Sequence, residues 1–178
     1  MNTNKLQPIL ESFTYPAYRE IPDVGLYLDQ VVKYINSYLQ DFPEMQITGS
    51  MVSNYVKQKL ISSPHKKTYS RDQIAGLIFI ATAKTVLSMD HIRMCLSSLY
   101  QFDSYEHAYE AFRSMLHEVL SSLMDASHHI VCAATSSPVS QALENIVITV
   151  AHKMYLERYF EEYRQEMEEN EKKDDSQS

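Results

Sequence analysis

The chain has 178 residues and 44% hydrophobic content, enough to bury a core without metal or disulfide, as one domain or as two small ones sharing that core. Three glycines and six prolines are too few for the many tight turns of an all-β fold, and no apolar run is long enough to cross a bilayer. A net charge of −7 excludes a uniformly basic nucleic-acid coat, so any anion-binding surface has to be local. The two cysteines, Cys95 and Cys132, lie far apart and outside any C-x-x-C pattern, which reads as reduced thiols. The opening MNTNKLQPIL has no basic region leading into an apolar run and is not a secretory signal. The expected location is cytoplasmic.

In chain order, residues 1–22 are expected to form an irregular N-terminal arm lying across a surface, with Pro8, Pro16 and several aromatics. Asp23, after Pro22, is predicted to cap a helix to about Gln40 that buries Val24, Leu28, Val31, Val32, Ile35 and Leu39, ended by Pro43. Thr48 is predicted to cap a helix to about Lys59. Met51, Val52, Tyr55 and Val56 form its inner face, leaving Ser50, Ser53, Asn54, Lys57 and Gln58 outside. After the break at Ser62 to His65, Ser70 with Gln73 reads as a capping box opening a helix through Ile74, Leu77, Ile78 and Ala81. Ser88 then caps a short helix through Ile92, Cys95, Leu96 and Leu99, closing a unit over 23–100.

From 101 to 170 a helical hairpin is predicted. Asp103 and Glu106 form a second capping box, and Tyr105, Tyr109, Phe112, Leu116, Val119 and Leu123 recur in heptad-like steps to about Ala126. A loop from His128 to Ser136 leads to Ser137 and Pro138, in N-cap and N1 order, which open a long helix apolar nearly all round between Ile146 and Ala151. Farther along, Leu156, Phe160, Tyr163 and Met167 make a separate stripe on a charged helix, an invitation to a partner such as a second copy of the chain. Residues 171–178 read as a disordered acidic tail. The fold class is mainly α.

The stretch from Ile47 to Arg71 carries the functional signal. Between Glu44 and Ala75 the bases Lys57, Lys59, Lys66, Lys67 and Arg71 face the acids Glu44 and Asp72, a positive window in a negative protein. A helix that reads DNA needs short polar side chains near its start to reach base edges, and positive charge to hold phosphates. Thr48, Ser50, Ser53 and Asn54 supply the first and Lys57 the second, while backbone N–H groups near Gly49 and Ser50 suit a phosphate. Lys66 and Lys67 follow on a loop stiffened by Pro64. Were all five bases of two subunits to neutralise phosphates, the salt slope would approach about −9.

In order along the chain, Val52 and Tyr55 in the helix, Leu60, Ile61 and Pro64 in a turn, and Lys67 with Tyr69 and Ser70 in a short basic wing resemble the DNA-binding half of the MerR family of transcriptional regulators. The runs Asp72 to Ile80 and Leu87 to Ile92 look like that family's second helix pair. With the upstream run Leu26 to Val31, the chain is still more similar to an uncharacterised bacterial domain-of-unknown-function family described as having a MerR-like half. The resemblance spans about Leu26 to Leu99 and implies a winged helix-turn-helix binding double-stranded DNA through Thr48, Gly49, Ser50, Ser53, Asn54, Tyr55, Lys57, Lys66, Lys67, Tyr69 and Arg71. The chain departs from the MerR pattern at Ser53, where arginine is usual, at Lys59, where glycine is usual, and at Lys67, where arginine is typical of the wing. The first helix is also longer and set farther upstream.

Other readings stand beside this one. Tyr105, Tyr109 and Phe112 line an effector pocket or, more simply, pack on the last helix. His128, His129 and Cys132 offer soft ligands, but zinc needs four and no second cluster is visible, so no metal or cofactor is expected. No Gly-rich phosphate loop, nucleophile elbow or Cys-His pair points to an enzyme. The expected function is a homodimeric DNA-binding regulator of transcription. The alternative is a protein- or ligand-binding helical module that keeps the fold without DNA binding. A combination of the two has the acidic tail folding back on the basic window.

Overall fold

The computed structural model describes residues 6–98, 104–124 and 137–175, and these are mainly helical. The N-terminal segment is not a surface arm. Leu6–Ser12 forms α1, and Leu10, Phe13, Tyr15 and Ile21 are buried among the later helices. The reason is aromatic content: Phe13 packs edge-on against both Tyr15 and Phe42, and the Tyr15 hydroxyl meets the Thr82 hydroxyl at 2.8 Å in the core.

The first predicted helix starts later than expected. Asp23, Val24 and Gly25 form a bend, Leu26–Tyr27 is a two-residue strand β1, and α2 spans Leu28–Ser37. Gly25 sits at φ +75°, and a Cβ there would meet Thr68 at 3.1 Å, so the position suits only glycine. Val24, expected inside, is 90% exposed. Strand pairing, invisible to helical periodicity, outcompetes the cap at Asp23. Leu39 is buried beyond the helix end, before a short 3-10 turn at Pro43–Met45.

Asn36 fixes the approach to the next element. Its side-chain amide donates to the Ile47 carbonyl and accepts from the Ile47 N–H, both at 2.9 Å. Helix α3 then spans Gly49–Lys57, capped by the Thr48 hydroxyl, which accepts from Met51 N–H at 3.2 Å. It ends in a Schellman motif: Leu60 N–H donates to the Tyr55 carbonyl and Lys59 N–H to that of Val56, with Lys59 left-handed at φ +60°.

His65 to Thr68 is a tight hairpin. Lys66 and Lys67, at φ +47° and +70°, occupy its two central positions, and Thr68 N–H donates to the His65 carbonyl at 2.8 Å. Positive φ at both central residues is the signature of a type I′ turn. Strand β2, Thr68–Tyr69, pairs antiparallel with β1, Leu26 opposite Tyr69 and Tyr27 opposite Thr68.

Helix α4, Arg71–Ala83, is the centre of the molecule, buried on every side from Gln73 to Ala83. The expected capping box is present, and Gln73 also donates to the Ser62 carbonyl at 2.7 Å, tying the loop before the hairpin to α4. Helix α5, Met89–Ser98, follows with Ser88 as its cap. The expected boundary near residue 100 and Asp103 both fall outside the described residues. Ser104 accepts from His107 N–H at 3.1 Å and opens α6, Tyr105–Met124, whose seam from Tyr109 to Val119 is buried as its spacing predicts.

Helix α7 starts at Pro138 behind the Ser137 cap and packs along α6. It runs to Asp175, so helix continues past Asn170 where composition suggests disorder. Among the described residues no helix is long and apolar enough to cross a membrane.

Candidate functional site

The polar edge of α3 faces solvent. Thr48, Ser50, Ser53, Asn54 and Lys57 are exposed and Gly49 is half-buried, while Val52 and Tyr55 hold the opposite edge in the core. Three hydroxyls are committed locally: Ser53 donates to the Gly49 carbonyl at 2.8 Å, and Thr48 and Ser50 share a bond of 2.9 Å. Ser53, which donates its proton, keeps lone pairs for an acceptor role.

The hairpin lies beside this edge. A Cβ on Gly49 would touch Leu28 at 3.4 Å, so the start of α3 rests on the start of α2. The preceding residue, Tyr27, is opposite Thr68 of the hairpin. Segment 26–28 therefore links the two, and Lys66 and Lys67 are exposed at the hairpin tip. Lys59, exposed at the end of α3, adds a fourth cation.

Three of the predicted contact residues leave this face. Tyr55 and Tyr69 are each only 4% exposed, and burial raises both phenols above their ordinary pKa; they anchor α3 and β2 to the core. Arg71 turns inward. Its Nε donates to the Ile21 carbonyl at 2.8 Å, its guanidinium lies 5.5 Å from the centre of the Tyr18 ring, and it faces Asp23 at 3.8 Å. The arginine is a latch for the N-terminal segment, reinforced by the hydrogen bond from Tyr18 to Asp72. With Asp72 so engaged, and with Glu44 half-buried beside Lys84, neither acid of the window confronts the lysines directly.

Sequence reasoning missed Tyr27, 58% exposed on the strand beside the hairpin, and the lysine backbone geometry. A two-residue strand has no periodicity to find, and lysine is a poor predictor of a left-handed turn.

The second candidate site is a packed interior. Tyr105, Tyr109 and Phe112 do converge with Gly76, Phe79 and Leu143, but the space enclosed is about 20 Å³, room for one water. A drug-sized ligand needs roughly 300 Å³ or more. The Tyr109 hydroxyl donates to the Pro16 carbonyl at 2.8 Å, and Phe112 meets Phe79 edge-on at 5.4 Å, so these rings act as core. His128, His129 and Cys132 lie outside the described residues, and among the described residues no three His, Cys, Asp or Glu side chains gather as a metal site.

A separate open groove of about 640 Å³ runs along α7, with Val86, Ile148, Leu156 and Phe160 in its wall. It continues into exposed Tyr163 and Met167.

No curated protein and no solved structure matches the chain. The family model described as a domain of unknown function, DUF1836, matches residues 16–112, more than half of the chain. The matched span holds α2, α3, the lysine hairpin, α4, α5 and the first part of α6. The chain belongs to the DUF1836 family.

Proposed function

We propose that this protein is a DNA-binding regulator of transcription, with a MerR-like winged helix-turn-helix over residues 23–100. In this reading α3 is the recognition helix and the hairpin of Lys66 and Lys67 is the wing. The observation that carries it is the joining of a polar helix edge, Ser50 to Lys57, to a lysine-tipped hairpin through segment 26–28, in an otherwise anionic chain. Asn54 reaches base edges in the major groove, and Lys57, Lys59, Lys66 and Lys67 hold phosphates. With Arg71 committed to Ile21, four cations per subunit remain, and the limiting salt slope for a dimer falls to about −7.

The α7 stripe supports a second copy as the partner. Leu156, Phe160, Tyr163 and Met167 are each about half exposed and spaced at four, three and four residues, the seam of a two-helix coil. An antiparallel pairing sets Glu157 against Arg164 of the second copy at both ends, whereas a parallel one sets Glu166 against Glu171. Charge therefore favours the antiparallel arrangement, which also gives two-fold related recognition helices.

The alternative, a helical module binding protein or ligand without DNA, draws on Ser53 and Lys59 in place of the MerR residues and on the half-exposed α7 groove. Titration of selected duplexes with Asn54→Ala and Lys67→Ala separates the two readings. The first variant relaxes sequence preference, and the second weakens binding to all sequences alike with a shallower salt slope. Parent-like binding by both rejects the roles given to Asn54 and Lys67, and no binding by the parent at any salt rejects the DNA reading.

A further inference from the structure

Tyr27 breaks the rule of its own position. It is the N-cap of α2, where Ser, Thr, Asp or Asn would bond the first helical N–H groups, yet its side chain makes no capping hydrogen bond. Its ring is 58% exposed, so it contributes little to the core. Its backbone is nonetheless held firmly: Tyr27 N–H donates to Gln30 Oε1 at 2.9 Å, and the residue pairs with Thr68 in the sheet. An aromatic side chain is thus presented rigidly to solvent from a site where a small polar residue would favour the helix. Violations of local preference without a packing return mark functional positions.

The surroundings say what the ring meets. On one side Leu28 supports Gly49 at the start of α3, and on the other Thr68 leads directly from Lys66 and Lys67. Through the chain and the sheet pairing, Tyr27 therefore bridges the gap between the start of α3 and the hairpin. A duplex held at both places has its sugar-phosphate backbone crossing that gap, because the strand bordering the groove runs from the helix to the wing. A tyrosine suits such a crossing: its hydroxyl donates to a phosphate oxygen and its ring covers the deoxyribose, with no reading of sequence.

We propose that Tyr27 is a positioning contact on the DNA backbone, setting the depth and angle at which α3 enters the groove. This deepens the DNA-binding reading and rests on it. The contact is neutral, which distinguishes it from the lysines on either side.

The test uses the full chain, a duplex selected from a random pool, an unrelated duplex, and the variants Tyr27→Ser, Tyr27→Phe and Lys67→Ala. Tyr27→Ser installs a preferred N-cap, so its Tm equals or exceeds that of the parent and misfolding cannot explain a loss. It weakens binding to both duplexes by about tenfold with the salt slope unchanged, and Tyr27→Phe, which loses only the hydroxyl, weakens it by about fivefold. Lys67→Ala weakens binding with a shallower slope. If Tyr27→Ser binds like the parent while Lys67→Ala is weakened, the backbone contact is wrong and the DNA reading stands. A shift in base preference with Tyr27→Ser also overturns it, because the ring would then be reading bases. A parent that binds neither duplex at any salt removes both the contact and the reading beneath it.

Discussion

Lys59, Lys66 and Lys67 are the residues other than glycine that hold positive φ among the described residues, and all three belong to the same cationic surface. For a side chain with a Cβ this conformation costs about 1 kcal/mol or more, and Gly or Asn adopts it more cheaply. Strain kept at three lysines points to a use for the charge rather than for the fold. Lys59→Gly relieves the end of α3 and raises stability by about 1 kcal/mol in urea denaturation; an unchanged or lower value contradicts the left-handed assignment. The pair Lys66→Asn with Lys67→Gly installs the favoured type I′ turn sequence while deleting two charges. Its Tm rises and its DNA affinity falls, with a salt slope shallower by about 2 per subunit. A gain in both, or a loss in both, breaks the link between strain and binding. The sequence shows the charges plainly and conceals the strain, because lysine carries no turn signal.

At the scale of elements, what was legible follows from periodicity and caps. Thr48, Ser70, Ser88 and Ser137 all open helices as their spacing predicts, and the seam from Tyr109 to Val119 is buried as a heptad pattern requires. What was not legible depends on contacts distant in sequence. Strand β1 exists because Thr68–Tyr69 lies beside it, and the segment after α1 is core because Tyr15 finds Thr82 and Tyr109 finds Pro16. Part of the candidate site was misread for the same reason: Arg71 belongs to a basic run in sequence and to Ile21, Asp23 and Tyr18 in space. The α7 stripe is an element-scale claim with its own test. In sedimentation equilibrium at micromolar concentration the parent has the mass of a dimer, and Leu156→Glu with Phe160→Glu has that of a monomer with unchanged helicity. A monomeric parent removes the seam.

The whole molecule joins a tyrosine-rich core to an uneven charge distribution. Burial raises the phenol pKa of Tyr15, Tyr18, Tyr34, Tyr55, Tyr69, Tyr105 and Tyr109 above the ordinary value of about 10. The unfolded chain thus releases these protons first, and stability that is whole below about pH 10 is lost as pH rises through the folded values. Lys84 opposes this weakly, since burial lowers its pKa while Glu44 partly restores it, and the folded chain gains from its deprotonation. Seven phenols outweigh one amine, and urea midpoints fall steeply above about pH 10; a flat profile to higher pH contradicts the burial assigned to them.

The net charge of −7 includes a concentration of acids along the distal part of α7. In sequence these acids lie far from the lysines of α3 and the hairpin, and duplex DNA is the partner proposed for that cationic face. Selection of bound sequences from a random duplex pool at low and moderate salt tests this most directly. A discrete two-fold motif is expected to be enriched, its retention weakening with salt. A pool that is not retained at any salt, from which no motif emerges, contradicts it.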